Sequence, residues 1–182
     1  NGYYFITICT YNKEHYFGVV ETQDIASLQA VQNNVKTQNF VETQNLASLR
    51  MTKIGNIAQK CWLEIPNHFP FVKLDEFIIM PNHVHGILVI DDNNVETQNF
   101  ASLRWKQNKF GPQSKNLASI IRGFKIGVKK YASMNNIVFA WQSRFYEHII
   151  RNENELCHIR EYIVNNPLNW NTDELFANNT NW

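Results

Sequence analysis

Met80-Pro81-Asn82-His83-Val84-His85-Gly86-Ile87-Leu88-Val89-Ile90 is the stretch on which the fold turns. Pro81-Asn82 is a turn signal, and the apolar run from His83 to Ile90 behind it predicts a strand. Leu74 to Met80, just before the turn, predicts another strand. Successive side chains on a strand point to opposite faces, which puts His83 and His85 together and Val84 on the other side. Two imidazoles two residues apart on one face can share a divalent ion, with a third ligand from elsewhere and open positions for substrate oxygen and water. Two ordinary histidines at a sheet edge fit the same spacing.

Outward from this stretch the chain alternates between strand and helix patterns. Tyr4 to Thr10 is rich in β-formers and predicts a strand. Ile54, Ile57, Ala58, Cys61, Trp62 and Ile65 recur with helical spacing, and Pro66 is expected to stop that helix. A second helix is expected from Asn116 to Ala132, a fourth strand from Arg144 to Ile150, and a final helix from Glu153 to Asn166. Asn152 followed by Glu155 three residues on resembles a capping box, and Pro167 ends the pattern. Strands and helices interleaved in this way predict a single α+β domain over residues 1–182.

The chain has 182 residues, and 44% of them are hydrophobic, enough for a packed core. No apolar run reaches membrane-spanning length, so no membrane role is expected. Cys9, Cys61 and Cys157 are odd in number and lack CxxC spacing, which argues against a zinc knuckle or disulfide framework. They read as reduced thiols of a cytoplasmic protein. A ten-residue peptide recurs: Val20 to Gln29, Val41 to Arg50 and Val95 to Arg104 are near copies, and Val35 to Phe40 is a truncated one. The copies are short and unevenly spaced, which disfavours a solenoid. They are expected to be insertions in surface loops, at about residues 20–50 and 92–110.

The final helix carries Tyr162 and, four residues later, Asn166, so the two side chains project from the same side about one turn apart. Leu156, Ile159 and Ile163 form the core stripe, and Tyr162 lies off its middle. A phenol and an amide oxygen could thus face one metal site, although a half-buried amphipathic tyrosine is the commoner fate. Pro81-Asn82-His83-Val84-His85 upstream of Tyr162-Ile163-Val164-Asn165-Asn166-Pro167 resembles the single-tyrosine HUH transposases, and in particular the REP-associated tyrosine transposases. Trp141 to His148 is similar to that family as well. The resemblance implies a ferredoxin-like antiparallel sheet with helices mainly on one face. It also implies a divalent metal, Mg²⁺ or Mn²⁺, on His83, His85 and Asn166, and Tyr162 as nucleophile. Attack on single-stranded or hairpin DNA would give a 5′-phosphotyrosine link and a free 3′-hydroxyl, in a monomer or homodimer. Tyr146 is a rival nucleophile; Glu147, His148 and Glu161 have no assigned part.

The helix from Asn116 has an apolar face of Leu117, Ile120, Ile121, Phe124, Val128 and Tyr131. Arg122, Lys125, Lys129 and Lys130 fall opposite, with no acidic residue from Lys115 through Tyr131. A one-signed face of this kind suits phosphate contacts, and Arg144 and Arg151 could extend it. Trp141, Phe145 and Tyr146 could stack on unpaired bases, or be buried in the core. A solvated face of an ordinary amphipathic helix fits too. Two other functions stay open at this point: a DNA-hairpin-binding protein without catalysis, and a structural metal-binding domain.

Overall fold

A computed structural model describes residues 2–22, 47–90, 116–173 and 175. Its strands are β1 (Gly2–Cys9), β2 (Gly18–Thr22), β3 (Ala47–Met51), β4 (Val72–Ile79), β5 (His83–Ile90) and β6 (Tyr146–Ile150). Its helices are α1 (Lys53–Leu63), α2 (Ile65–His68), α3 (Leu117–Met134) and α4 (Glu153–Asn165). Strands β4, β5, β1 and β6 pair antiparallel in that spatial order. Leaving out the β2–β3 pair, the chain runs β-α-β-β-α-β with β1 and β5 in the middle of the sheet. This is the ferredoxin-like arrangement expected.

Strand alternation divides the sheet into two unlike faces. Ile6 and Ile8 of β1 and Val84 and Leu88 of β5 point to one side and pack with Ala58, Trp62, Ile120, Phe124 and Val128 of α1 and α3. Gly86 belongs to this face because the Trp62 indole lies against the strand there; a Cβ at that position would come within 2.3 Å of the ring. On the opposite side a smaller cluster of Ile87, Ile150, Leu156 and Ile163 seats α4. The two helices that build the main core, α1 and α3, therefore share one face, and the tyrosine helix crosses the other.

Local sequence accounts for the helix ends. The Thr52 side chain accepts from Gly55 N at the start of α1. Asn116 and Ser119 form a reciprocal capping box at α3, and Asn152 accepts from Glu155 N at α4. Pro66 does not simply end α1. That helix closes at Leu63, and Pro66 sits in the first turn of α2, where its missing N–H costs nothing.

The repeat peptides depart from expectation. Val20 and Glu21 of the first copy pair with Leu49 and Ser48 of the second, within a ribbon running from Gly18↔Met51 to Thr22↔Ala47. The outer ends of the 20–50 insertion are thus strands and not loop, because a half-polar peptide can satisfy its backbone by pairing with a neighbouring copy. Arg50 and Glu21 add an exposed ion pair across it at 2.9 Å. The truncated copy at 35–40, the copy at 95–104 and the insertion at 92–110 lie outside the described residues.

Candidate active site

His83 and His85 open β5 on the α4 side of the sheet, with their ring centroids 4.3 Å apart, and both are buried. Each ring is held by its Nδ1. The Nδ1 of His83 lies 2.8 Å from Asn82 Oδ1, and the Nδ1 of His85 lies 2.9 Å from the Thr7 hydroxyl. Such contacts orient an imidazole and free its Nε2 for a metal. Burial, and then the neighbouring His85, hold His83 well below the usual imidazole range. Burial brings His85 down to about 4 against the pull of Asp173. Both rings are therefore neutral at pH 7, the form that ligates metal.

Helix α4 delivers the other two expected residues. Asn166 caps the helix and is buried, and its Nδ2 donates to Asp173 Oδ2 at 3.1 Å, which fixes its Oδ1 on the other side. Among the described residues, His83 Nε2 and Asn166 Oδ1 are buried and make no hydrogen bond of ordinary geometry, although the Asn166 side chain is near enough to work against the lowering of the His83 pKa. Two polar atoms left bare in the protein interior cost free energy, and a cation held between them would offset that cost. The donor set thus fits a divalent ion. Tyr162, one turn earlier, is partly exposed and puts its hydroxyl 3.3 Å from His85 Nε2. Phe5 stacks on His85 and meets Tyr162 edge-on, so the two rings share one aromatic wall.

Asp173 is the site residue that sequence reasoning missed. One ligand atom from each of His83, His85 and Asp173 lies within 4.8 Å of the others. The residue follows a short 3₁₀ turn, Trp170–Thr172, that folds the chain after Pro167 back over the histidines. Trp170 is buried there, with its ring 5.9 Å from that of His83. Periodicity gives no signal in such a segment; the only hint was an acidic residue soon after the expected helix end.

A cavity of about 750 Å³ opens from this centre, lined by His85, Tyr162, Asn166 and Asp173 together with Arg144 and Tyr146. Tyr146 shares the cavity, but on β6 it faces Phe5, with ring centroids 6.4 Å apart. His148 pairs with Glu155 at 2.6 Å, and Glu147 and Glu161 are exposed. A second groove, of about 630 Å³, follows α3 past Arg122, Lys129 and Lys130 and meets the cavity at Phe145. The basic helix face is only partly free for a ligand. Lys125 Nζ donates to the carbonyls of Gln142 and Arg144 at 2.7 and 2.9 Å, and Lys129 Nζ donates to the Phe139 carbonyl. These lysines anchor the segment leading into β6. Trp141 packs with Phe17, Phe124 and Phe139, as the core alternative required. Arg122, Lys130 and Arg144 are exposed.

No protein-family model matches the chain. It is 38% identical over 178 residues, 97% of its own length and 86% of the relative's, to an uncharacterized protein of Haemophilus influenzae. It is 27% identical over 119 residues to a second protein of that organism, named "Putative REP-associated tyrosine transposase"; the match takes in 65% of the chain and 61% of that relative's length. A solved structure, of a REP-associated tyrosine transposase bound to a REP hairpin, aligns with a TM-score of 0.48 at 16% identity, over 93% of this chain and 68% of the other. The chain belongs to one family with the uncharacterized Haemophilus influenzae protein, and in sequence it resembles the REP-associated tyrosine transposases.

Proposed function

We propose that the chain is a divalent-metal-dependent endonuclease and strand transferase for single-stranded or hairpin DNA, with Tyr162 as nucleophile. The observation that carries this reading is the Tyr162 hydroxyl, 3.3 Å from His85 Nε2 in a cavity that His85, Asn166 and Asp173 also line. A structural metal site has no need of a partly exposed phenol beside it. His83, His85 and Asp173 would hold the ion, with Asn166 Oδ1 beside them. When bound, Mg²⁺ or Mn²⁺ supplies charge stabilisation at the phosphate oxygens.

The protein's own part is positioning. A free phenol has a pKa of roughly 10, so geometry and local charge must compensate for its weak nucleophilicity at pH 7. Phe5 and α4 hold the Tyr162 ring in place. As the bond from the Tyr162 oxygen to phosphorus forms, the bond from phosphorus to the 3′ oxygen breaks. In net, the phenolic proton passes to the departing 3′-hydroxyl. The phosphodiester survives as a 5′-phosphotyrosine, and attack by another 3′-hydroxyl restores the phenol and joins strands. Arg144 in the cavity, with Arg122 and Lys130 along the groove, suits a phosphate track, and Phe145 lies where the two spaces meet.

Incubation with labelled hairpin DNA and Mn²⁺, followed by a denaturing gel, tests the reading. Wild-type protein should form a covalent adduct, and Tyr162→Phe should lose it while keeping most of its DNA affinity. An adduct persisting in Tyr162→Phe would transfer the role to Tyr146. Binding without any adduct in the wild type would favour a hairpin-binding protein without catalysis. Arg122→Ala with Lys130→Ala should flatten the log–log salt dependence of binding by roughly 0.7 for every phosphate no longer neutralised.

A further inference from the structure

Asn82 lies at the tight turn before the histidine strand, fully buried, and two separate chain segments meet on its side chain beside the adjoining His83. Its Nδ2 donates to the Lys13 carbonyl at 3.1 Å and to the Leu175 carbonyl at 2.8 Å. Carbonyls only accept, so both amide hydrogens are committed and Oδ1 is left facing His83. The 2.8 Å contact between Oδ1 and His83 Nδ1 then has a single sense: Nδ1 carries the hydrogen, and Nε2 presents a bare lone pair. That nitrogen is one of the buried polar atoms without a hydrogen bond of ordinary geometry among the described residues.

The same amide also reaches Asp173. Leu175, held by Asn82 through its carbonyl, donates its own N–H to Asp173 Oδ1 at 2.7 Å. Asn166 grips the other carboxylate oxygen of Asp173. The turn around Asn82 is itself firmly built, with its carbonyl accepting from both the N–H and the hydroxyl of Thr10. Lys13 and its neighbour Asn12 have positive φ, of 54° and 51°; asparagine takes this conformation readily, but for Lys13 it is uncommon.

We propose that Asn82 is the positioning residue of the metal site. Through one amide it selects the His83 tautomer that can ligate, and it fastens the segment that brings Asp173 to the histidine pair. This inference rests on the metal site of the proposed function. Its test begins without metal, so the two can fail separately.

The measurement is the ¹⁵N chemical shift of the His83 ring nitrogens in the metal-free, full-length protein. Wild type should show the Nδ1–H form with Nε2 unprotonated. Asn82→Ala should mix the two tautomers and weaken Mn²⁺ binding by roughly 10–100-fold, the usual cost of losing a partner of a ligating histidine. Asn82→Asp keeps the acceptor for His83 and should preserve the tautomer. An Nε2–H form in the wild type would overturn the proposal outright. So would Asn82→Ala with unchanged tautomer and unchanged Mn²⁺ affinity. Where Asn82→Ala does not fold, Asn82→Asp decides, and loss of the Nδ1–H form there counts against the proposal. An Nδ1–H wild type that binds no Mn²⁺ would sink the metal reading and leave the tautomer assignment standing.

Discussion

The two faces of the four-stranded sheet are made by the same strands and serve opposite ends. On one, Ile6, Ile8, Val84 and Leu88 meet α1 and α3 in a continuous apolar cluster. On the other, the apolar cluster under α4 has four buried members, and the ground beside it goes to Thr7, His83, His85 and Asn166. One residue along β5 separates a core valine from a candidate ligand. The first face therefore concentrates stability, and the second spends some of it on buried polar groups that gain little until something binds.

The sharpest way to break this division is on the core face. Trp62→Ala should destabilise the fold by about 3–5 kcal/mol, read by chemical denaturation, because the indole packs against both Gly86 and Phe124. A loss below about 1 kcal/mol would mean that the core lies elsewhere.

Acid should act on the other face. His85 has its folded pKa lowered from 6.5 to about 4, and that of His83 is lowered too. The unfolded chain then binds more protons than the folded one, so stability falls as pH drops below about 6.5 and keeps falling to about pH 4. For His85 alone the loss is on the order of 3 kcal/mol. Stability measured against pH in the presence of chelator should show this slope, and His85→Gln should flatten it. A wild-type curve level across that window would contradict the burial of the pair.

A smaller effect concerns the seating of α4. Arg160 grips Asp75 in two-pronged fashion, at 2.8 and 2.6 Å, from a position two residues before Tyr162. The irregular register of β4 between Leu74 and Phe77 is what brings Asp75 there. Asp75→Asn should cost no more than about 1 kcal/mol, since the pair is part-exposed. Its effect on adduct formation should be the larger one, because it loosens the tyrosine and leaves the core intact. Equal losses of stability and adduct would make the clasp purely structural. The guanidinium, through its hydrogen bonds, holds the Asp75 carboxyl below the usual range. What the clasp contributes is thus present above pH 4 and fades as the pH falls through the lowered pKa.

The least effect is expected at the ribbon. Glu21→Gln removes an exposed partner of Arg50 and should change stability by less than about 0.5 kcal/mol in thermal melts. A larger change would give the repeat-derived strands a part in the main fold.

Much of this architecture is legible in the chain itself. The histidine strand runs from His83 to Ile90 as its composition predicts, and Asn116 and Asn152 cap their helices. His83, His85, Tyr162 and Asn166 converge because strand period and helix period are both local rules. Asp173 escaped because it arrives through a tertiary fold-back and not through any period. The carbonyl partners of Lys125 were illegible for a related reason. A basic side chain opposite an apolar face looks solvated until a neighbouring segment offers its carbonyls. The β2–β3 ribbon was hidden by its own polarity, since repeated peptides with few β-formers read as insertions.

That ribbon has a consequence for how the gene can change. It pairs the front half of one copy, Val20-Glu21-Thr22, with the back half of another, Ala47-Ser48-Leu49-Arg50. Each full copy carries both halves. Duplication or deletion of a whole copy between them alters the length of the intervening chain, yet a front half still enters and a back half still leaves. A change in the number of whole copies between the two strands would thus leave the flanking register intact, and such length variants would differ in the span between the strands and share the strands themselves.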